Sequence, residues 1–402
     1  MPNSRSKSSR KVVPSAAPRL LVGLMAGTSL DGVDAALVRV TGPATAPRVR
    51  LLKFISIPYS PGVRHRLLGL AAGHPASAGE ISQLNFLLGR LFADGAIEVC
   101  RKAGVSPGRL VGIGSHGQTI FHQGNAKAEA GHKVSSTFQI AEPAVIAERA
   151  GAAVVANFRA ADLAAGGQGA PLVPLLDYLL LNGRNEGTVA LNIGGIANVT
   201  VIPAGAALED VYGFDTGPGN MIMDGLVRAF TGGRQHYDSN GRLAAQGKII
   251  EDLLTLALRH AFFRKQPPKS TGREQFGEEF VQRLFLSRLS GACKEDLLRT
   301  ANELTATTIA GALGQFVFPR VDIKRLIISG GGAHNRLLMR RIGELLPGIA
   351  VMPSDAFGLP RDAKEAIAFA ILADRTLHGL PGNLPAVTGA RRAVVLGNIS
   401  RP

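Results

Sequence analysis

The sequence predicts an α/β protein of two lobes, and three observations carry that reading. Its 402 residues exceed one ordinary domain, at roughly 100–200 residues each. Short apolar runs of strand length alternate with longer stretches of helical period. One arrangement, an apolar strand, a glycine-containing turn and a second apolar strand, occurs near residues 20–40 and again near 189–202. That echo points to two related halves.

Composition narrows the class. An apolar fraction of 46% is enough for substantial cores, and no apolar run reaches the roughly 18–20 residues that span a bilayer. Cys100 and Cys293 lie far apart, so neither a zinc spacing nor a disulfide framework is expected. A cytoplasmic location follows. The formal charge is +15, of which residues 1–19 supply five through Arg5, Lys7, Arg10, Lys11 and Arg19. The other basic residues are scattered, aromatics make up 5% and there is no Trp. Nucleic acid and membrane are therefore not expected partners, whereas a small anionic ligand suits the charge.

Taken in order, residues 1–18 read as a disordered basic tail. A strand enters at Leu20, turns at Asp31-Gly32 and returns as a second strand over 33–40. A third strand covers 51–59. Residues 61–100 read as helical, with Ile81, Leu84, Leu87, Leu88 and Leu91 on one face. A strand over 110–114 runs into Ser115-His116-Gly117-Gln118, and the polar stretch 123–136 reads as a surface loop. Further helices are expected over 143–149, from Pro171 or Leu172, and over 249–260, 278–287 and 302–317. A strand at 326–329 ends in Gly330-Gly331-Gly332, followed by helices over 335–346 and 363–377 and a last short strand near Val394. The lobes are expected at 19–157 and 158–389, each with a mixed five-stranded sheet, and 390–402 is expected to rejoin the first.

The chemistry gathers at Gly213-Phe214-Asp215-Thr216-Gly217-Pro218-Gly219-Asn220, about twenty residues after Asn192-Ile193-Gly194-Gly195. Paired glycines let a backbone approach a phosphate closely. A carboxylate beside such a turn can take a proton from a nucleophile aimed at that phosphate, or simply cap the turn. Neither GxxxxGK[ST] nor GxGxxG is present.

Two strand-turn-strand loops and a later strand-GGG-helix segment resemble the layout of the actin-like, sugar-kinase and Hsp70 ATPase superfamily, of ribonuclease H-like fold. Within it the motifs resemble those of the anhydro-N-acetylmuramic acid kinase family. They are GLMAGTSLDGVD over 23–34, GSHGQT over 114–119, GGQGAPLVP over 166–174 and FDTGPGN over 214–220, then PKSTGRE over 268–274, SGGGAHN over 329–335, DAKEA over 362–366 and TGA over 388–390. They keep one order from about residue 20 to 399.

The resemblance implies an ATP- and Mg²⁺-dependent enzyme that opens 1,6-anhydro-N-acetylmuramic acid with water, phosphorylates O6 and gives N-acetylmuramic acid 6-phosphate in peptidoglycan recycling. A homodimer is the expected assembly. Asp215 would be the base for the water, and Glu365 a further active-site group. Gly27, Thr28, Ser29, Leu30, Asp31, Gly32, Val33 and Asp34 would line the phosphates, with Asp31 near Mg²⁺. Gly194, Gly195 and Gly217 would present amides to the phosphates, and Gly330, Gly331 and Gly332 would flank the nucleoside. Arg159, Asp162, Gln168 and His116 are assigned to the sugar pocket, with internal bracing the competing role.

Asn157 before Phe158-Arg159, Arg361 before Asp362, and Ala141 at a usual glycine position depart from the family pattern. They put details of substrate affinity in doubt. A sugar or acetate kinase acting on a free hydroxyl is the nearest alternative, and a nucleotide switch the next.

Overall fold

The computed structural model describes residues 17–27 and 29–402, so Thr28 and all but the last two residues of the expected tail lie outside the described residues. Two sheets form, and each repeats one wiring. In the first, β1 (Arg19–Ala26), β2 (Gly32–Thr41) and β3 (Arg48–Pro58) make an antiparallel meander. The chain then crosses over so that β4 (Gly112–Glu129) runs parallel to β1; after the hairpin strand β5 (His132–Ile140), β6 (Val154–Ala156) runs parallel to β4. In the second sheet, β7 (Gly187–Ile193), β8 (Ile196–Ile202) and β9 (Tyr212–Pro218) repeat the meander, and β10 (Ile323–Ser329) and β11 (Ala350–Pro353) repeat the parallel additions. The strand orders β3-β2-β1-β4-β6 and β9-β8-β7-β10-β11 are the same order taken twice. That duplication is the ribonuclease H-like wiring of an actin-like fold.

Several expectations change. The first sheet has seven strands instead of five. One extra is β5, which pairs antiparallel with the long end of β4 and turns the expected loop 123–136 into a hairpin. Its two-residue turn joins the paired Glu129 and His132 through Ala130 at φ 47° and Gly131 at φ 81°, the twist that suits a tight hairpin. The other is β12 (Asn398–Ser400), antiparallel to β6.

The expected helix over 61–100 is two, Pro61–Ala71 and Ala78–Lys102. Ser77 starts the second with a reciprocal cap: its Oγ accepts from the Glu80 amide at 3.2 Å, and Glu80 Oε2 accepts from the Ser77 amide at 2.8 Å. Such a box holds a helix start against a preceding one. On the second lobe the helix Lys294–Phe316 begins eight residues before the expected 302, because Cys293 caps it and Leu297 and Leu298 are already buried. Each such leucine contributes roughly 1.5–3 kcal/mol of burial.

Helix Lys364–Leu377 lies on the first sheet. Gly23 of β1 and Gly114 of β4 are register partners. A methyl at Gly23 would overlap the Ala366 carbonyl, and one at Gly114 the Phe369 carbonyl. Two adjacent glycines therefore make the groove in which the helix backbone sits. This helix, inside the span expected for the second lobe, thus packs on the first sheet.

Candidate active site

The first glycine turn joins β1 to β2. The Gly27 carbonyl accepts the Leu30 amide at 3.3 Å and Gln118 Nε2 at 3.1 Å. A methyl at Gly27 would meet nothing closer than Ser29 Oγ at 3.7 Å, so that face is open. Leu30 and Val33 are 2% and 1% exposed, with Leu30 at φ 58°. Their side chains belong to the core, so any contact with phosphate is through backbone alone. Gly32 is glycine because a methyl there would overlap the Ile57 carbonyl of β3.

Asp31, expected near Mg²⁺, turns its carboxylate to Arg64 at 3.1 Å on the exposed side of the turn. Asp34 is deeper. Burial pushes its carboxyl up, a Ser56 hydrogen bond opposes this, and the like charges of Asp362 and Asp31 push further.

Behind this turn stands a guanidinium network. Arg159 Nη1 donates to the Gly169 carbonyl at 2.7 Å, while its Nε and Nη2 reach His116 Nε2 at 3.1 and 2.9 Å. His116 Nδ1 lies 2.8 Å from the Gly117 carbonyl, and its ring packs on Phe369 at 4.7 Å. Burial, then the Arg159 charge, holds the imidazole well below its usual pKa. His116 is thus a neutral acceptor that orients Arg159, with no nitrogen left for a sugar. Burial also lowers Arg159, to about 10, against the attraction of Glu365 and Asp162. Glu365, on the first turn of helix Lys364–Leu377, is itself raised by burial, with Arg159 as the largest opposing influence.

Asp162 is a second correction. It is fully buried, and its oxygens accept from the Gly169 amide, Asn383 Nδ2 and Thr388 Oγ1, each at 2.7 Å. It braces the glycine loop against residues 383–388 and does not face a sugar. Gln168 is exposed; its amide donates to the Thr388 carbonyl at 2.8 Å and its side chain reaches Asn125 at 3.3 Å.

The second glycine turn joins β7 to β8. The Gly194 and Gly195 carbonyls accept the amides of Asn220 and Gly219, each at 2.8 Å, which docks the start of helix Met221–Thr231 on the turn. Methyls at Gly194 and Gly195 would find nothing closer than 3.6 and 3.3 Å, so both have room for a ligand. Gly217 does not. It sits at φ 148°, and a methyl would come within 2.7 Å of the Phe263 ring. Gly330 and Gly332 are likewise packed on Ile193, whereas Gly331 is exposed.

Asp215 lies in β9. Its amide donates to the Lys269 carbonyl at 3.0 Å, and its Oδ2 accepts the Thr271 amide at 2.8 Å. Burial raises its pKa to about 6, with Thr271 and Lys269 opposing and Glu274 adding to the rise. Lys269 and Thr271 were not singled out from sequence; the PKSTGRE stretch was the available signal. Lys364, also missed, makes a buried ion pair with Asp177 at 2.7 Å and donates to Ser329 Oγ at 3.1 Å. It ties the helix on the first sheet to the end of β10.

The expected residues thus gather in two groups. Asp34, His116, Arg159 and Glu365 sit with the first sheet, Asp215 and the paired glycines with the second. No hydrogen bond or ion pair among the described residues joins the two groups.

The departures from the family pattern have local reasons. Asn157 sits at φ 58° and its Nδ2 donates to Asn398 Oδ1 at 3.1 Å, pinning the C-terminal strand. Arg361 bridges the Ala333 carbonyl and Asp355, each at 2.7 Å. Ala141, at φ 152°, keeps a glycine-like backbone.

A duplicated ribonuclease H-like wiring, with an open glycine turn at the same place in each sheet and a half-buried carboxylate beside one of them, defines a protein of the actin-like class. The family model for anhydro-N-acetylmuramic acid kinase matches residues 19–402. The anhydro-N-acetylmuramic acid kinase of Caldanaerobacter subterraneus subsp. tengcongensis is 46% identical over 383 residues, covering 95% of this chain and 97% of its own. That of Bacillus thuringiensis subsp. konkukian is 44% identical over 384 residues, covering 95% and 99%. The chain belongs to the anhydro-N-acetylmuramic acid kinase family.

Among solved structures, an activator of 2-hydroxyisocaproyl-CoA dehydratase from Clostridium difficile with bound ADPNP aligns at TM-score 0.43 and 10% identity, covering 88% of this chain and 94% of its own. A ROK family glucokinase from Streptomyces griseus, in complex with glucose and AMPPNP, aligns at 0.37 and 14%, covering 89% and 99%. The fold assignment rests on the strand wiring and not on these.

Proposed function

We propose that the enzyme opens the 1,6-anhydro bridge of anhydro-N-acetylmuramic acid with water and transfers the γ-phosphate of ATP to the released O6. The observation that supports this most is Asp215, a half-buried carboxylate held by a single backbone amide through Oδ2. Oδ1 is then available to take a proton from water. The water oxygen bonds to C1 as the C1–O6 bond breaks; O6 bonds to phosphorus as the bond to ADP breaks. The products are N-acetylmuramic acid 6-phosphate, ADP and a proton held first by Asp215. A carboxyl raised to about 6 is still ionised at neutral pH and is a stronger base than an ordinary Asp.

The open turns at Gly27 and Gly194-Gly195 serve the triphosphate, and Arg159 and Glu365 serve the sugar side. The donor set suits Mg²⁺ brought in with the nucleotide. Asp34 is raised by burial and in part by the like charges of Asp362 and Asp31, a repulsion a divalent cation relieves, and such an ion needs only one or two carboxylates besides phosphate and water. Among the described residues no group of three or more His, Cys, Asp or Glu forms a self-contained metal site. When bound, Mg²⁺ would neutralise charge developing on the phosphates. Asp34 replaces Asp31 as its first partner in this reading. A cytoplasmic location is the reading that the two free cysteines favour, and a homodimer is the expected assembly; no helix among the described residues is long and apolar enough to cross a membrane.

Incubation with ATP and the anhydro sugar, read by mass and NMR, tests the reaction. Cleaved 6-phosphorylated sugar is expected. Equal turnover of ordinary N-acetylmuramic acid would favour a kinase of free hydroxyls, and ATP hydrolysis at the same rate without sugar a nucleotide switch.

A further inference from the structure

Lys269 is a buried cation without an anion. It is 8% exposed, and among the described residues no carboxylate forms an ion pair with it. Its Nζ lies 4.8 Å from the Phe262 ring centre, 4.7 Å from Phe316 and 6.0 Å from Phe214. The Phe262 and Phe263 carbonyls accept from it at a long 3.4 Å. Ring faces attract cations, but less than a carboxylate does. A lysine kept here only for packing would be outdone by an apolar side chain of the same length, because desolvating an unpaired ammonium is costly.

The cage is attached to the site. Phe263 fills the space that a side chain at position 217 would take, so the aromatic cluster lies directly against β9 two residues from Asp215. The Lys269 carbonyl accepts the Asp215 amide at 3.0 Å, and two residues on the Thr271 amide reaches the Asp215 carboxylate at 2.8 Å. Residues 269–271 therefore strap both backbone and side chain of Asp215.

We infer that Lys269 is a positioning residue for the phosphoryl-transfer site: its caged side chain seats the 269–271 strap that orients the backbone and the carboxylate of Asp215. The inference rests on the reading of Asp215 as base. The charged groups that act on Asp215 are Lys269, which lowers its pKa, and Glu274, which raises it; Asp215 in turn raises that of Lys269, which burial brings down to about 8. Lys269 is thus still charged where Asp215 titrates. The aromatic cage gives it a charge that no neighbouring carboxylate cancels.

The experiment is the pH profile of kcat/KM for the coupled reaction in wild type, Lys269→Met and Glu274→Gln. Met matches the length and suits an aromatic cage. Its acid limb should move up by about one unit, because a loosened strap weakens the hold of the Thr271 amide on the Asp215 carboxylate. Activity would then fall about fivefold further at pH 6 than at pH 8. Glu274→Gln, at an exposed position, should move the limb down. A uniform loss across pH in Lys269→Met would overturn the inference and leave a packing role.

A second measurement does not depend on that variant folding. In wild-type enzyme labelled with [ε-¹³C]lysine, the Lys269 resonance should inflect near pH 6 as Asp215 titrates, and Asp215→Asn should remove that inflection. No inflection there, or one that survives Asp215→Asn, would sink the inference. Full activity in Asp215→Asn would instead sink the base assignment while leaving the coupling between the two residues intact.

Discussion

Asp162 is fully buried and Asp215 half-buried, both in glycine-rich segments, and the structure gives them opposite fates. Asp162 has three donors at 2.7 Å, one backbone amide and two side chains. Asp215 has one backbone amide, and burial drives its pKa to about 6. Three donors leave Asp162 committed to holding a loop together, whereas a single amide leaves an oxygen of Asp215 free to take a proton. The glycines follow the same division. Around Asp162 they bring the 166–169 backbone onto the carboxylate, while Gly194 and Gly195 keep space open beside β9.

The largest effect that could break this comparison is kinetic. Asp215→Asn should lower kcat by on the order of 10²–10⁴ with ATP binding retained, and the wild-type acid limb should fall near pH 6. Asp162→Asn retaining wild-type stability and losing as much activity would reverse the two roles. Next in size, Asp162→Ala should destabilise by about 3 kcal/mol, since it strands buried donors. Chemical unfolding measures this, and the acid limb of the surviving enzyme should not move.

A third test has the opposite sign. The Asp215 pKa is higher folded than unfolded, so its contribution to stability is present below about pH 4 and lost as pH rises through about 6. Asp215→Asn removes that loss. The variant should be more stable than wild type at pH 8, by about 1.4 kcal/mol per unit of the raised pKa, and the gain should vanish at pH 4. The smallest effect is Thr388→Val, which deletes one donor to Asp162 and should cost about 1–2 kcal/mol. No cost in a melting experiment would mean that the other two donors suffice.

Much of the frame was legible because it is written locally. Apolar alternation with Asp31-Gly32 gives a hairpin, and the same pattern at 189–202 gives its counterpart. The 123–136 hairpin was not legible: its strands are polar on both faces, so alternation carries no signal, and only pairing with β4 makes them strands. The site was half legible. Motifs marked His116, Asp162 and Asp215 alike, but a one-dimensional reading cannot count donors. Two of the three donors to Asp162 come from residues 383 and 388, more than two hundred positions away. Lys269 was hidden for the same reason, since its cage draws on Phe214, Phe262 and Phe316.

The paired glycines under helix Lys364–Leu377 have a mechanical consequence. With the Ala366 and Phe369 carbonyls seated over Gly23 and Gly114, the helix cannot ratchet along the sheet by a residue without a backbone collision. Glu365 and the turn after β1 are therefore one part, like a tooth and the gear that bears it. Any movement of the first sheet would therefore carry Glu365 with it as a fixed unit. The Lys364–Asp177 pair, one residue before it, pins the start of that unit.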